Sequence, residues 1–407
     1  MKKTVSREYR RGCARLALLA LALAAPPVLA DEFSACLARL RPQAVQRGIA
    51  PATFDTHAAR LAPDLSVLEL LDAQPEFVTP IWDYLAALVD DERVDDGRAM
   101  LEHWRDVLQE IDKRYGVDTA TVIAVWGVES NYGRSLGKRP LLVSLGTLAC
   151  MGRRQSYFRG EFLDLLKIID EGHIPPDRLV GSWAGAFGQT QFMPSTFLRL
   201  AVDFDGDGRR DLVDSAADAL ASTAHFLHRG GWKSGEAWGF EVSLPAGFDP
   251  SLAGRRNKRP LSTWIARGVK LADGNPLPGD GPERALLLPA GATGPAFLVG
   301  GNFDVIYRYN AAESYALAIA HLSDRLRGGN PFRTPWPTDD PGLSRAQRRE
   351  LQHLLIARGH NIGEADGMIG AKTRRAIARE QETLGRKADG RASLGILNAL
   401  REAGDRH

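Results

Sequence analysis

Apolar residues recur at helical spacing along most of the chain. Between Gly160 and Gly172, Phe162, Leu165, Leu166 and Ile169 share one face with charged residues between them, which predicts an amphipathic helix; Asp214 to Gly230 repeats the pattern. The segment Asp118 to Gly133 differs. Val122, Ile123, Val125, Trp126 and Val128 leave it no polar face, and a helix apolar all round is a buried one. Asp118 is suited to cap its start, and the run Ser130 to Gly133 breaks it. From Val242 to Val305 the periodicity weakens and Gly and Pro become frequent. Leu286–Leu288 and Ala296–Val299 are predicted there as short strands of an irregular subdomain or lid. Pro331, Pro335, Pro337 and Pro341 mark 328–342 as an extended linker. Beyond it, Leu351, Leu354, Leu355 and Ile362 predict a helix and a turn, Ala376 and Ile377 a second helix, and Leu394 to Leu400 a third. The expected organisation is mainly α: a large helical domain over 31–327, a linker over 328–342 and a small module over 343–407.

Composition sets limits on this picture. With 407 residues, 44% hydrophobic and 25% charged, the chain is ordinary globular material. A formal net charge of +2 gives no nucleic-acid footprint. Residues 343–407 hold more Lys and Arg than Asp and Glu, which suits an anionic polymer as readily as a solvated surface. Residues 1–30 read as an export signal. Lys2, Lys3, Arg7, Arg10, Arg11 and Arg15 precede a Leu/Ala run from Leu16 to Ala25, and Val28 and Ala30 stand at −3 and −1 of a cut before Asp31. The run is too short to cross a bilayer, so no transmembrane segment is expected after cleavage, and no Cys follows it to carry a lipid. Cys36 and Cys150 remain in the mature chain. In an exported protein they point to one disulfide, with two buried free thiols as the alternative.

Two patterns carry chemistry. Glu129 lies in the last turn of the apolar helix, so core packing carries a carboxyl group to the edge of the core. Desolvation there favours the neutral acid and raises its pKa, the property a general acid needs near neutral pH. A structural Glu paired with Arg134 is the alternative. Asp203-Phe-Asp205-Gly-Asp207-Gly208-Arg209-Arg-Asp211-Leu-Val-Asp214 follows the twelve-position EF-hand pattern. Acids stand at positions 1, 3, 5, 9 and 12, Gly at 6, and the Arg209 carbonyl at 7. Carboxylates this close repel one another without a cation, so a structural Ca2+ is expected; an acidic turn without metal is the alternative.

Glu129-Ser-Asn-Tyr-Gly133 resembles the Glu-Ser-x-Tyr-Gly signature of lytic transglycosylases. Gly181-Ser-Trp-Ala-Gly-Ala-Phe-Gly-Gln-Thr-Gln-Phe-Met-Pro-Ser195 is similar to a second block of those enzymes. Asn302-Phe303, Tyr307-Arg-Tyr-Asn310 and Tyr315-Ala316 are similar to a third, and Gln74-Pro-Glu-Phe77 with Trp82-Asp-Tyr84 to an N-terminal one. In order and spacing the blocks resemble the lytic murein transglycosylase B family, from about Phe33 to Arg327. The resemblance implies a lysozyme-like core of the goose type, acting on peptidoglycan glycan strands in the periplasm without a catalytic cofactor. A monomer is expected. It also implies that Glu129 is the sole acid/base and that the muramic C6 hydroxyl closes a 1,6-anhydro ring.

Ser182 is then expected to orient Glu129, and Gln191 to contact the sugar near the scissile bond with Phe192 beside it. Tyr84, Tyr309, Asn310 and Tyr315 are expected to line the cleft. Phe226 stands where a cleft Tyr is expected, so one hydroxyl contact is missing. Arg153 and Arg154, near Tyr157, suit either a peptide stem or surface ion pairs. In the C-terminal module, Asp366-Gly-Met-Ile-Gly370-Ala-Lys-Thr373 resembles the Asp-Gly-x-x-Gly-x-x-Thr element of three-helix peptidoglycan-binding domains. Glu380-Gln381 replaces a Phe-Gln pair, so lost core packing or exposure is expected there. Two rivals remain. A water-using muramidase needs a second carboxylate near the cleft. A non-catalytic wall-binding scaffold is opposed by the intact Glu129, Ser182, Gln191 and Asn310 set.

Overall fold

The segment with no polar face forms a helix, Thr119–Ser130, and nine of its twelve residues are buried. Asp118 caps it by accepting the Thr121 N–H at 2.8 Å. A computed structural model describes residues 27–72 and 79–404. The expected export segment through residue 26 and the Gln74–Phe77 block lie outside those residues. In chain order the helices before this one are α1 (Pro27–Gln46), α2 (Pro51–His57), α3 (Ile81–Leu88), α4 (Asp91–His103) and α5 (Arg105–Tyr115), so the buried helix is α6. After it come α7 (Leu141–Met151), α8 (Gln155–Asp170), α9 (Pro194–Leu200), α10 (Ala216–Arg229), α11 (Leu261–Ile265), α12 (Gly301–Asn310) and α13 (Glu313–Leu326). Both periodic stretches read from sequence are helices, α8 and α10. Among the described residues no helix is long and apolar enough to cross a membrane.

Two hydrophobic cores organise this body. In one, Val122, Ile123, Val125 and Trp126 of α6 pack with Leu220 of α10 and Leu317 and Ile319 of α13. In the other, Phe33 and Leu37 of α1 pack with Leu145 of α7, Phe162 and Leu166 of α8, and Phe187 and Phe197. Phe226 and Tyr309 pack against both, so the seam between the cores runs beneath them. A Cys36–Cys150 disulfide joins α1 to α7 across 114 residues of sequence, so the pair is bridged.

Short strands β1 (Arg139–Pro140) and β2 (Val180–Gly181) pair antiparallel ahead of the second block. The weakly patterned region is a four-stranded antiparallel sheet with its own small core. Its strands are β3 (Gly239–Ser243), β4 (Lys270–Leu271), β5 (Ala285–Leu287) and β6 (Ala296–Val299), in the order β4-β3-β6-β5. Trp264, fully buried, packs in that core with Val242, Leu286 and Leu298. The strands expected near 286–288 and over 296–299 are present; β3 alternates, with Phe240 and Val242 toward the small core, but spans only Gly239–Ser243 and was not predicted.

The Pro-rich stretch contains no helix, as expected of a linker, yet it is strapped down. The Phe332 ring stacks on His321 with centroids 3.7 Å apart, and the Arg333 and Thr334 N–H groups each donate to Glu241 at 2.8 Å. The C-terminal module follows as α14 (Arg345–Ala357), α15 (Ala371–Thr383) and α16 (Leu394–Gly404) around Leu351, Leu355, Ile377 and Leu397. Glu380 and Gln381 are buried and satisfied: Glu380 pairs with His360 Nε2 at 2.7 Å, and Gln381 accepts the Gly390 N–H at 2.8 Å. Polar bonds therefore replace the expected packing loss. Arg391 grips both Asp83 oxygens, at 2.6 and 2.8 Å, and Arg349 pairs with Glu92 at 2.7 Å, so the module is docked on α3 and α4.

Candidate active site

Helix α6 delivers Glu129 half-buried at its C-terminal end, and the chain then bends sharply. Asn131, Tyr132 and Gly133 are all left-handed, with φ of 53°, 59° and 78°. Two of these are not glycine, so neighbours must hold them there. The Tyr132 hydroxyl donates to the Arg93 carbonyl at 2.7 Å, and the Gly133 N–H donates to Ser130 Oγ at 2.9 Å. Gly127 makes room for this fold-back, since a Cβ on it would lie 2.7 Å from Tyr132 Oη. The Glu-Ser-x-Tyr-Gly pattern is thus the recipe for a bend that exposes a carboxyl at the core edge.

The second block forms the facing loop. The Ser182 N–H donates to the Ala186 carbonyl at 2.8 Å, and the Ala186 N–H returns to Ser182 Oγ at 3.0 Å. Gln191 is left-handed at φ 51°, and its side-chain amide donates to the Gly188 carbonyl at 2.8 Å. Phe187 and Phe192 pair through both backbone groups at 3.0 Å. That pairing turns the Phe192 ring into the core, 2% exposed and 5.9 Å from both Phe226 and Tyr309. Phe192 therefore supports the cleft floor instead of meeting the sugar beside Gln191 as expected. The Phe226 ring lies tilted against that of Tyr309, with centroids 4.6 Å apart.

Helices α12 and α13 bring tyrosines from far along the chain. The Tyr315 hydroxyl donates to Glu129 Oε1, and the Tyr309 hydroxyl donates to the Thr190 carbonyl at 2.7 Å. Their rings stack with centroids 6.2 Å apart. Burial, and then the nearby Glu129 charge, push both phenols well above their ordinary pKa, so they stay protonated donors.

Two cavities meet at Glu129 and Asn310. One, of about 600 Å³, is lined by Ser182, Trp183, Gln191 and Tyr309 with Arg153, Arg154 and Tyr157. The Arg154 guanidinium lies 4.7 Å from the Tyr157 ring centre. The other, of about 500 Å³, is lined by Tyr84 and Tyr315 on one side and by Ile369, Arg374, Arg391 and Ala392 of the C-terminal module on the other. Together they make one cleft with Glu129 at its waist, roughly the size of ligand sites that bind extended molecules. Among the described lining residues, Glu129 is the acid common to both halves. Asp83 and Asp389 also face the second half, but Arg391 holds Asp83, and Asp389 accepts from Gln381 Nε2 at 2.9 Å. Trp183 and the module wall were missed from sequence. Trp183 could have been flagged as a large aromatic between small residues; the wall depends on docking that no local pattern encodes.

In the acidic loop, carboxylate oxygens of Asp203, Asp205 and Asp218 lie within 4.8 Å of one another. Asp218, fully buried at the start of α10, lies beyond the twelve-position window. It accepts the Phe204 N–H at 2.7 Å and the Asp211 N–H at 2.8 Å, which wraps the loop around it. Burial pushes its pKa up, a cost that a cation beside it offsets. Asp205, Asp207, Arg209, Asp211 and Asp214 line a common hollow. Asp211 accepts the Val213 N–H at 2.8 Å, and Asp214 pairs with Arg178. An all-oxygen set of this kind fits a hard divalent cation. The loop is also wired to the site: Gln189 donates to the Leu212 and Val213 carbonyls at 2.7 and 3.1 Å, and Ser130 Oγ donates to the Gln189 carbonyl at 2.5 Å.

Comparison with known proteins agrees with this arrangement. A family model described as a transglycosylase SLT domain matches residues 32–324, and one described as a putative peptidoglycan binding domain matches 344–400. Over 277 residues, 64% of this chain and 74% of the relative, the chain is 34% identical to the membrane-bound lytic murein transglycosylase B of Escherichia coli (strain K12). The crystal structure of SltB3 from Pseudomonas aeruginosa in complex with NAG-anhNAM-pentapeptide is similar at TM-score 0.73 and 48% identity, over 91% of this chain and 99% of that one. Escherichia coli Slt35 in complex with calcium is similar at TM-score 0.62 and 29% identity, over 73% of this chain and 92% of that one.

Proposed function

The chain belongs to the SLT-domain transglycosylase family, and from that premise we propose that it cuts peptidoglycan glycan strands between N-acetylmuramic acid and N-acetylglucosamine, leaving 1,6-anhydro ends. The strand runs through both halves of the cleft, with the scissile bond over Glu129. Glu129 gives its proton to the glycosidic oxygen as the C1–O bond breaks, and the N-acetylglucosamine side leaves as an alcohol. The carboxylate then takes the proton of the muramic C6 hydroxyl as that oxygen bonds to C1. The proton count closes on Glu129 and water is not consumed. The Tyr315 hydroxyl bond stabilises the ionised form between the two steps. Ser182 orients Glu129, and Gln191, Tyr84, Tyr309 and Asn310 orient the sugars.

The observation that carries this reading is that, among the described residues, Glu129 is the one acid that lines both halves of the cleft. Ordinary glycosidases work with two, and here the other lining acids are held in place by the C-terminal module. Replacing Glu129 by Gln keeps the shape and removes the exchangeable proton. A folded Glu129→Gln protein that no longer clears purified sacculi is the expected result; clearing at the wild-type rate rejects the assignment.

We propose further that Asp203, Asp205, Asp207, Asp211, Asp214 and the Arg209 carbonyl, with Asp218 behind them, hold one structural Ca2+. The protein reaches the periplasm by cleavage before Asp31 and works there as a monomer, with residues 343–407 as its peptidoglycan-binding module.

A further inference from the structure

The C-terminal module reaches the bend that follows Glu129. A capping box at Ser344 starts α14 and puts Arg345 in its first turn. Arg345 is 7% exposed and sits among Asp90, Glu92 and Asp96. Its backbone N–H donates to Asp90 Oδ2 at 2.7 Å, while its guanidinium donates to Asn131 Oδ1 at 2.5 Å and to Asp96 Oδ2 at 3.1 Å. Asn131 is the C-cap of α6, two residues past Glu129, and the first of the three left-handed residues. Ser130 and Tyr132, on either side of it, are held from within the catalytic body by Gln189 and Arg93. The Asn131 side chain is held from the module.

We propose that Arg345 is a positioning residue for the reaction: it fixes the bend behind Glu129 and so ties the aim of the carboxyl group to the seating of the module. This rests on Glu129 being the acid/base. A guanidinium fork so little exposed, with acids around it, is the geometry in which such a bond is strong and directional. Drift of the acid slows the chemical step. Arg345 itself lines neither half of the cleft, and Arg349 and Arg391 still hold the module wall, so binding changes less than the chemical step.

The test uses the full-length protein and soluble glycan chains, with Arg345→Ala, Arg345→Lys, Asn131→Gly and the Arg345→Ala/Asn131→Gly double variant. Glycine accepts the left-handed conformation, so Asn131→Gly removes the amide contact while leaving the ion pairs of Arg345 in place. Expected is a kcat loss of about ten-fold in Arg345→Ala and in Asn131→Gly with KM changed less than about two-fold. The double variant falls no further than Arg345→Ala, because both remove one contact, and Arg345→Lys recovers part of the rate. Wild-type kcat in folded Arg345→Ala and Asn131→Gly overturns the proposal. So does a KM rise at constant kcat, or a kcat loss in Arg345→Ala that Asn131→Gly does not share. Should Arg345→Ala fail to fold, Asn131→Gly decides alone. The role of Glu129 is judged separately: a folded Glu129→Gln that keeps its kcat removes that role whatever Arg345 does.

Discussion

At the scale of single residues, the site works by carrying polar groups to the edge of packed cores. Glu129 stands out in the sequence because α6 has no polar face and its motif resembles the family's, and the structure places it in the cleft. Its partner was not legible: Tyr315 lies 186 positions away and meets Glu129 only through the packing of α13 on α6. Removing that hydroxyl takes a donor from the ionised acid and leaves the ring in place. Tyr315→Phe is therefore expected to lower kcat by about ten-fold with Tm nearly unchanged, checked by steady-state rates beside a thermal melt. Unchanged kcat would place Tyr315 in packing alone. Phe192 was misread for a related reason: its backbone pairing with Phe187 buries the ring, which no residue-type preference reveals. Asp218 was missed because it lies outside the loop motif, although an acid inside the apolar start of α10 carried the same signal as Glu129.

Among elements, the strongly periodic helices and the apolar strands β5 and β6 were readable, and the strands β3 and β4 were not. Strand β3 alternates, with Phe240 and Val242 in the small core and Glu241 receiving the strap, but five residues among Gly and Pro are too few to stand out. The Pro-rich segment contains no helix, but composition cannot distinguish a free linker from one stacked on His321. That stacking has a pH signature. Burial lowers the His321 pKa from 6.5 to about 3. The unfolded chain binds a proton below its ordinary value while the folded chain does not. The contribution is therefore fully present above 6.5 and is lost as pH falls toward 3, at roughly 1.4 kcal/mol per unit. Melts between pH 7 and 4 are expected to lose less stability in His321→Phe than in wild type; parallel curves would contradict this. The disulfide acts on another pair of elements. On loop-closure entropy a link spanning 114 residues is worth roughly 4–5 kcal/mol, so Cys36→Ala/Cys150→Ala should melt well below wild type, and an unshifted melt would show that α1 is held by packing alone.

For the molecule as a whole, the acidic loop, the facing loop and the bend after Glu129 form one connected frame, through Gln189 and Ser130. Calcium bound to the folded frame adds stability by mass action, about 2.7 kcal/mol at a hundred times its Kd. Tm is expected to rise with added Ca2+ and fall with chelator, and Asp203→Ala should abolish the response; a flat Tm would remove the metal from the account. Composition and motif suggest an order of domains but say nothing of the docking of the C-terminal module as a wall of the cleft. It depends on Arg345, Arg349 and Arg391 meeting acids on α3 and α4, and surface charges do not announce their partners. The central claim is that one carboxylate does both halves of the reaction without water. Mass spectrometry of muropeptides released from purified peptidoglycan tests that most directly. The prediction is products lighter by one water than reducing muropeptides, absent with Glu129→Gln. Reducing ends would instead identify a water-using muramidase, and an intact protein that releases nothing would identify a binding scaffold.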